Sequence, residues 1–123
     1  WLALTSSSPS IARNLDYDYG TREMLVGQAK QFAGELALDD PRVSVGRAAP
    51  AGIAPVLVQA GTSEMLYDEC KQWVETARAA GVEVVFDEAH EMPHAPPFFA
   101  AQMAAGAKAV EAIGAYVRGR LGG

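Results

Sequence analysis

The chain has 123 residues, half of them hydrophobic and a fifth charged, so it can form one packed domain or part of one, and disorder is not expected. Its net charge of −5 argues against nucleic acid as a partner, because phosphate binding needs clustered Lys and Arg. No apolar run reaches the roughly eighteen residues of a membrane span, and the single cysteine, Cys70, excludes an internal disulfide and cysteine-rich zinc sites.

The first half of the chain is predicted to hold one helix between irregular segments. Residues 5–20 are rich in Ser, Asn, Asp and Gly without a sustained period, which is typical of a loop. From Thr21, a candidate N-cap, apolar residues recur at helical spacing. The predicted stripe consists of Leu25, Ala29, Phe32 and Leu36. Residues 38–52 follow as a turn-rich connector, in which Pro41 and Pro50 prevent a continuing helix.

The second half alternates strands and helices. The apolar run at 55–61 ends in glycine and predicts a strand buried on both faces, and "VEVVFDE" (82–88) predicts a second strand. Between them lies a helix for which Gly81 is the expected left-handed C-terminal cap. Its predicted stripe is Leu66, Cys70, Trp73, Ala77 and Ala80. A last helix carries a stripe of Phe99, Met103, Gly106, Val110, Ile113 and Val117.

This order of elements predicts an α/β fold with parallel strands, since a strand–helix–strand unit returns the chain in the same direction. Two strands do not form a stable parallel sheet alone. We therefore expect residues outside this chain to complete the sheet. The start at Trp1, without an initiator Met or a signal-like stretch, agrees with a chain that is part of something longer.

Ionisable side chains follow both predicted strands, where parallel α/β sheets gather their catalytic groups. Glu64, Asp68 and Glu69 come after the first strand. Asp87, Glu88, His90, Glu91 and His94 come after the second. An acid after one strand and a histidine after the next is the arrangement in which a carboxylate orients an imidazole base.

The surroundings of these residues separate the candidates. Asp68 and Glu69 lie one turn into the helix and are expected on its solvated face, whereas Glu64 fits equally a helix-start acid favoured by the dipole and a catalytic group. His90 is flanked by acids and is expected to be exposed, while prolines stiffen the chain around His94 without deciding its role. A metal site is not expected, because Pro93 prevents the helix that an H-x-x-x-H pair needs.

The segment "APVLVQAGTSEMLYDECKQWVETARAAGVEVVFDEAHEMPH" (54–94) resembles the C-terminal part of the hormone-sensitive-lipase-like branch of α/β-hydrolases, which are bacterial carboxylesterases. "DDPRVS" (39–44) resembles that family's "DPRVSP" segment, with Val45 where proline is usual. The likeness covers residues 39–121 well and residues 1–38 loosely. The matching residues are Gly61, Glu64, Leu66, Asp68, Glu69, Ala77, Ala80, Gly81, Val82, Met92, Pro93 and His94.

The resemblance implies the C-terminal portion of one α/β-hydrolase domain, with its last parallel strands and flanking helices. Residues 1–52 would be a cap-side helix and connecting loops, and 53–123 the strand–helix–strand–helix part. His94 would be the general base and Glu64 the acid that orients it, with Asp68 as the second choice for the acid. No cofactor is implied.

The nucleophile that the family uses is missing from the sequence. Neither the G-x-S-x-G serine motif nor the "HGG" oxyanion segment occurs, and "GTS" (61–63) lacks the closing glycine. We therefore expect a cytoplasmic serine hydrolase of small esters whose N-terminal half lies elsewhere, so that this chain alone is inactive. The alternative is a non-catalytic α/β interaction module, and a homodimer through the last strand suits both. A small α/β binding domain is disfavoured, because no Gly-rich phosphate loop is present.

Overall fold

A computed structural model describes residues 1–122 of the chain. The α-helices are α1 (Pro9–Arg13), α2 (Arg22–Ala33), α3 (Tyr67–Ala79) and α4 (Ala104–Leu121). The strands are β1 (Val56–Gly61) and β2 (Val84–Ala89), and short 3-10 turns cover Val45–Arg47 and Pro96–Phe99. Within residues 1–122, no helix combines the length and the apolar character needed to cross a membrane.

Strands β1 and β2 form a parallel pair connected by α3, as the sequence predicts. Val56 lies opposite Val84, and Gly61 lies opposite Ala89 at the other end. The two strands therefore finish level, and the loops that follow them leave the sheet at the same edge. Strand β1 is mostly half-buried rather than buried on both faces, because only one other strand and two helices pack near it.

The predicted start of β2 is two residues too early, and the end of α3 explains the difference. Gly81 has φ +81, the expected left-handed conformation, and the Val82 N–H then donates to the Ala77 carbonyl at 2.9 Å. Val82 therefore belongs to the helix cap rather than to the strand. Glu83 accepts from the Val56 N–H before regular pairing begins at Val84.

The main core lies between α3 and the sheet. Val74, Ala77, Val82 and Val84 are its buried members, with Val56, Val58, Trp73 and Phe86 packed against them. The predicted stripe of α3 is correct at Leu66, Cys70 and Ala77, which are buried, and wrong at Ala80, which is exposed. Val74, which the stripe omits, is buried as well, since it lies four residues after Cys70 on the same face of α3.

The loop predicted at 5–20 contains the short helix α1, so this part of the prediction is wrong. Pro9 opens the helix, where its missing N–H costs no hydrogen bond. The buried Ser10 hydroxyl donates to the Met65 carbonyl at 2.6 Å, and Ile11 joins a small cluster with Leu25, Met65 and Leu66. A tertiary contact therefore stabilises a helix too short to be recognised from its own sequence.

Helix α2 begins as predicted, since the Thr21 hydroxyl accepts from the Met24 N–H. Its buried residues are Leu25, Ala29 and Ala33, a spacing of four throughout. The prediction that Phe32 and Leu36 belong to the apolar stripe of this helix is wrong. Phe32 is 71% exposed, and the helix ends before Leu36 at Gly34, which has φ +60.

Helix α4 buries residues only in its N-terminal half, and near its C-terminus Arg120 forms an ion pair with Glu83. Gly106 and Ala109 are buried, whereas Phe99 and Met103 of the predicted stripe precede the helix. The remaining stripe residues, Val110, Ile113 and Val117, are exposed. Gly106 permits the contact, since a Cβ there would lie 2.5 Å from the Phe99 carbonyl carbon.

Replacing Gly106 with Ala should therefore destabilise the fold by about 1–3 kcal/mol, because the Cβ meets backbone that cannot move aside easily. Gly27→Ala in α2 is the matched control, since a Cβ there meets nothing within 4 Å, and it should stabilise by about 0.5–1 kcal/mol. Urea denaturation measures both. Equal stabilisation by the two substitutions would contradict the tight contact at Gly106.

Candidate active site

The end of β1 turns sharply and buries a carboxylate. In residues 61–64, the acid turn, the Glu64 N–H donates to the Gly61 carbonyl at 3.1 Å. The Gly61 N–H in return donates to Glu64 Oε2 at 2.8 Å. Glu64 is only 2% exposed. The turn thus binds one carboxylate oxygen to its own backbone and leaves Oε1 to meet a partner.

The histidine follows β2 in a second turn, residues 91–95, the histidine turn. Glu91 and Ala95 at its ends have φ +56 and +54, a conformation that non-glycine residues adopt rarely. Met92 between them is 1% exposed and anchors the turn in the interior. Two residues with positive φ and one buried side chain therefore fix the backbone on both sides of Pro93 and His94.

The two turns bind each other directly. The Thr62 hydroxyl accepts from the Glu91 N–H at 2.8 Å, and the Ser63 N–H donates to the Met92 carbonyl at 3.1 Å. A Cβ on Gly61 would lie 2.1 Å from the Met92 carbonyl oxygen. Only glycine allows the turns to approach this closely.

Glu64 and His94 meet where the turns touch. Glu64 Oε1 lies 3.5 Å from His94 Nδ1. This is longer than the roughly 2.7–2.9 Å of a charge-assisted hydrogen bond, and within residues 1–122 the buried Nδ1 has no aligned hydrogen-bond partner. The pair is a close contact that becomes an ion pair when His94 is protonated, and a small movement would bring the two atoms to hydrogen-bond distance.

The carboxylate changes the acid–base behaviour of the imidazole. The contact with Glu64 raises the pKa of His94 above its ordinary 6.5, while partial burial opposes the rise and the negative charge of Asp18 adds to it. The His94 side chain is 42% exposed although Nδ1 is buried. The exposed part of the ring is therefore the part other than Nδ1, and it includes Nε2.

The other predicted acids have different partners. Asp68 accepts two hydrogen bonds from Arg13 at 2.8 and 2.9 Å, and this contact lowers the pKa of Asp68. Glu69 is buried, so its predicted place on the solvated face is wrong: it accepts from the Leu2 N–H at 2.8 Å, and burial raises its pKa. Of the three acids, the structure brings Glu64 to His94.

The residues around His90 remain peripheral to this contact. The His90 side chain is 84% exposed, as expected, with Glu91 as its neighbour. Asp87 accepts from the Gln59 side chain, and Glu88 accepts from the Tyr67 hydroxyl. Among residues 1–122, no three His, Cys, Asp or Glu side chains cluster closely enough to hold a metal ion.

Three residues of the predicted loop at 5–20 touch the site and were missed. The Asn14 side-chain amide donates to the Thr62 and Glu64 carbonyls at 3.1 and 2.8 Å. Asp18 accepts from the His94 N–H, and the Tyr19 hydroxyl donates to the His94 carbonyl. No sequence pattern in "NLDYDYG" identifies these residues, because each forms hydrogen bonds with backbone groups that lie more than forty residues away in the sequence.

Replacing Glu64 with Gln should lower the pKa of His94, because the largest cause of its rise is removed. The raised pKa stabilises the fold fully below about pH 6.5, and this stabilisation is lost as the pH rises through the folded-state pKa. NMR titration of the imidazole measures the change, and His90→Gln assigns the signals, since the chain has two histidines. An unchanged His94 midpoint in Glu64→Gln would contradict the pairing.

Comparison with known proteins gives the same fold. A family model for the alpha/beta hydrolase fold matches residues 1–98. An acetyl-hydrolase of Streptomyces hygroscopicus is 35% identical over 92 residues, which are 71% of this chain and 30% of that protein. A hormone-sensitive lipase from a metagenome library superimposes with a TM-score of 0.92 at 24% identity, over 98% of this chain and 42% of its own. An esterase of the bacterial hormone-sensitive lipase family gives 0.90 at 28% identity, over 96% and 40%.

The chain thus spans less than half the length of these relatives. The matched residues 1–98 include both strands and the two turns that follow them. The fold expected from the sequence motifs is confirmed. The chain belongs to the α/β-hydrolase fold family and is similar to its hormone-sensitive-lipase-like branch.

Proposed function

We propose that the chain supplies the base and the acid of a serine–histidine–acid triad to a longer polypeptide that hydrolyses carboxylic esters. His94 is the general base, and Glu64 is the acid that orients it. The observation that carries the proposal is the approach of Glu64 Oε1 to His94 Nδ1 at the level ends of two parallel strands. A buried carboxylate is costly unless it is paired and hydrogen-bonded, and Glu64 has the Gly61 N–H and the His94 ring as its partners.

The reaction follows from the two ring nitrogens. Glu64 favours the tautomer with the proton on Nδ1, which leaves the Nε2 lone pair to take a proton from a serine hydroxyl. The serine oxygen then bonds to the ester carbonyl carbon, and the imidazolium returns the proton to the departing alcohol. Water repeats the sequence on the acyl-enzyme and releases the acid and the free serine. Glu64 stabilises the imidazolium in both halves.

The nucleophile of this scheme lies outside the 123 residues, which contain no G-x-S-x-G motif. The one thiol is no substitute, because burial raises the pKa of Cys70 to about 12 and leaves almost no thiolate at neutral pH. We propose a cytoplasmic location, with which a single-cysteine chain without an internal disulfide is compatible. The Streptomyces relative is an acetyl-hydrolase, which supports esters of a short acyl group as substrates.

A second candidate is a non-catalytic interaction module that pairs with another copy along β2. Within residues 1–122, β2 pairs with β1 alone and has one open edge, beside which Val85 is 43% exposed. Pairing of this kind is compatible with catalysis as well. The two functions differ in what His94 must do.

His94→Ala in the longer polypeptide should lower kcat/KM for an activated short-chain ester by about a thousandfold or more, because a triad loses its base. His90→Ala is the matched control and should keep kcat/KM within about twofold, since its side chain is 84% exposed. A His94→Ala activity within about tenfold of normal would contradict the assignment and favour the interaction module.

A serine-directed fluorophosphonate should leave the isolated 123-residue chain unlabelled, and p-nitrophenyl acetate should turn over at the buffer rate. The probe should label one serine of the longer polypeptide, located before Trp1. Intact mass followed by peptide mapping gives the answer. A labelled serine within residues 1–123 would contradict the proposal that the nucleophile lies elsewhere.

A further inference from the structure

Asp18 connects three separate stretches of backbone through one carboxylate. Its Oδ1 accepts from the Tyr19 N–H at 3.0 Å and from the His94 N–H at 3.1 Å. Its Oδ2 accepts from the Met65 N–H at 2.9 Å. Met65 directly follows Glu64, so this carboxylate holds the chain beside the acid and the histidine itself. It lies on neither strand and belongs to the loop between α1 and α2.

The contact suits a carboxylate and no other side chain of that size. An ionised carboxylate accepts on both oxygens, and hydrogen bonds to it are shorter and stronger than those between neutral groups. An asparagine at position 18 has one accepting oxygen, and its NH₂ would face one of the backbone N–H groups. Asp18→Asn therefore breaks at least one link at nearly constant volume.

Tyr19 extends the same contact to the other side of His94. The Tyr19 hydroxyl donates to the His94 carbonyl at 3.2 Å, so consecutive loop residues bind both backbone polar groups of the histidine. The Tyr19 ring also lies beside the imidazole, with the ring centroids 6.2 Å apart. The position of His94 is thus set from outside the sheet as well as from β2.

The two turns already bind each other through Thr62 and Ser63, and these bonds end at Glu91 and Met92. No bond of that set reaches His94. The link that does reach it from the acid side runs from Met65 through Asp18 to the His94 N–H. This link therefore holds the backbone of His94 itself, which the direct bonds between the turns do not reach.

We propose that Asp18 is a positioning residue that fixes His94 relative to Glu64 by binding the backbone beside each of them. The inference rests on the proposed triad and adds to it a residue that touches neither substrate nor the reacting atoms. Misplacement of a catalytic group by about 1 Å can cost about a hundredfold in rate. Loss of Asp18 should therefore appear in turnover before it appears in substrate binding.

Asp18→Asn in the longer polypeptide should lower kcat by about a hundredfold and leave KM within about twofold. Asp16→Asn is the matched control: it removes the same charge two residues away, from an exposed side chain without a hydrogen bond among residues 1–122, and should leave kcat unchanged. Circular dichroism checks that both variants are folded. A kcat for Asp18→Asn within about threefold of the control would overturn the proposal.

Amide hydrogen exchange in the longer polypeptide tests the link without any activity. The amides of Met65 and His94 should exchange at least about tenfold faster in Asp18→Asn than in Asp16→Asn. If Asp18→Asn does not fold, Asp18→Glu replaces it, since it keeps the charge but moves both oxygens by one methylene relative to the Met65 and His94 N–H groups. It should lower kcat by more than about threefold, and an unchanged kcat would overturn the proposal.

The His94→Ala variant separates this inference from the function on which it rests. If His94→Ala remains active, the proposed triad fails and Asp18 loses its role with it. If His94→Ala is inactive while Asp18→Asn keeps the kcat of the control, the triad stands and the positioning role alone is wrong.

Discussion

The parallel register of β1 and β2 is the constraint on which the rest of the site depends. Because Gly61 and Ala89 end level with each other, the turns that follow leave the sheet side by side. Gly61 then lets the Met92 carbonyl approach to a distance that any Cβ would forbid. A one-residue slip of either strand would reverse which face each side chain occupies and would separate the acid from the histidine.

The buried carboxylate of Glu64 shows how the fold accommodates a group that is costly to bury. One oxygen is bound by the Gly61 N–H, and the other faces His94. An unpaired buried charge is strongly unfavourable, so this arrangement links the ionisation of the imidazole to the acid turn. The raised pKa of His94 is the measurable sign of that link.

The sequence predicts the parts of the site that lie on regular elements and misses those that lie between them. Both strands, the cap at Gly81 and the positions of Glu64 and His94 after the strands follow from local patterns. Glu69 shows the limit: its position on a helix suggests solvent, yet the backbone of Leu2 covers it. Burial of this kind depends on which segments meet in space, and no local pattern encodes it.

Asp18 illustrates the same limit in the residue that we propose to position His94. The segment "RNLDYDYG" is typical of a polar loop, and no periodicity distinguishes Asp18 from Asp16. The difference arises because the loop folds over both turns and meets three backbone N–H groups. The division of the chain at residue 52 into a connecting part and a catalytic part stays a prediction.

A double-mutant cycle on kcat of the longer polypeptide tests the central claim most directly, because it asks whether Glu64 acts through His94. Glu64→Gln, His94→Ala and the double variant are compared with the unmodified protein. The account predicts that adding Glu64→Gln to His94→Ala costs less than about twofold, although Glu64→Gln alone is strongly impaired. Losses that multiply, so that the double variant equals the product of the two single effects, would contradict it.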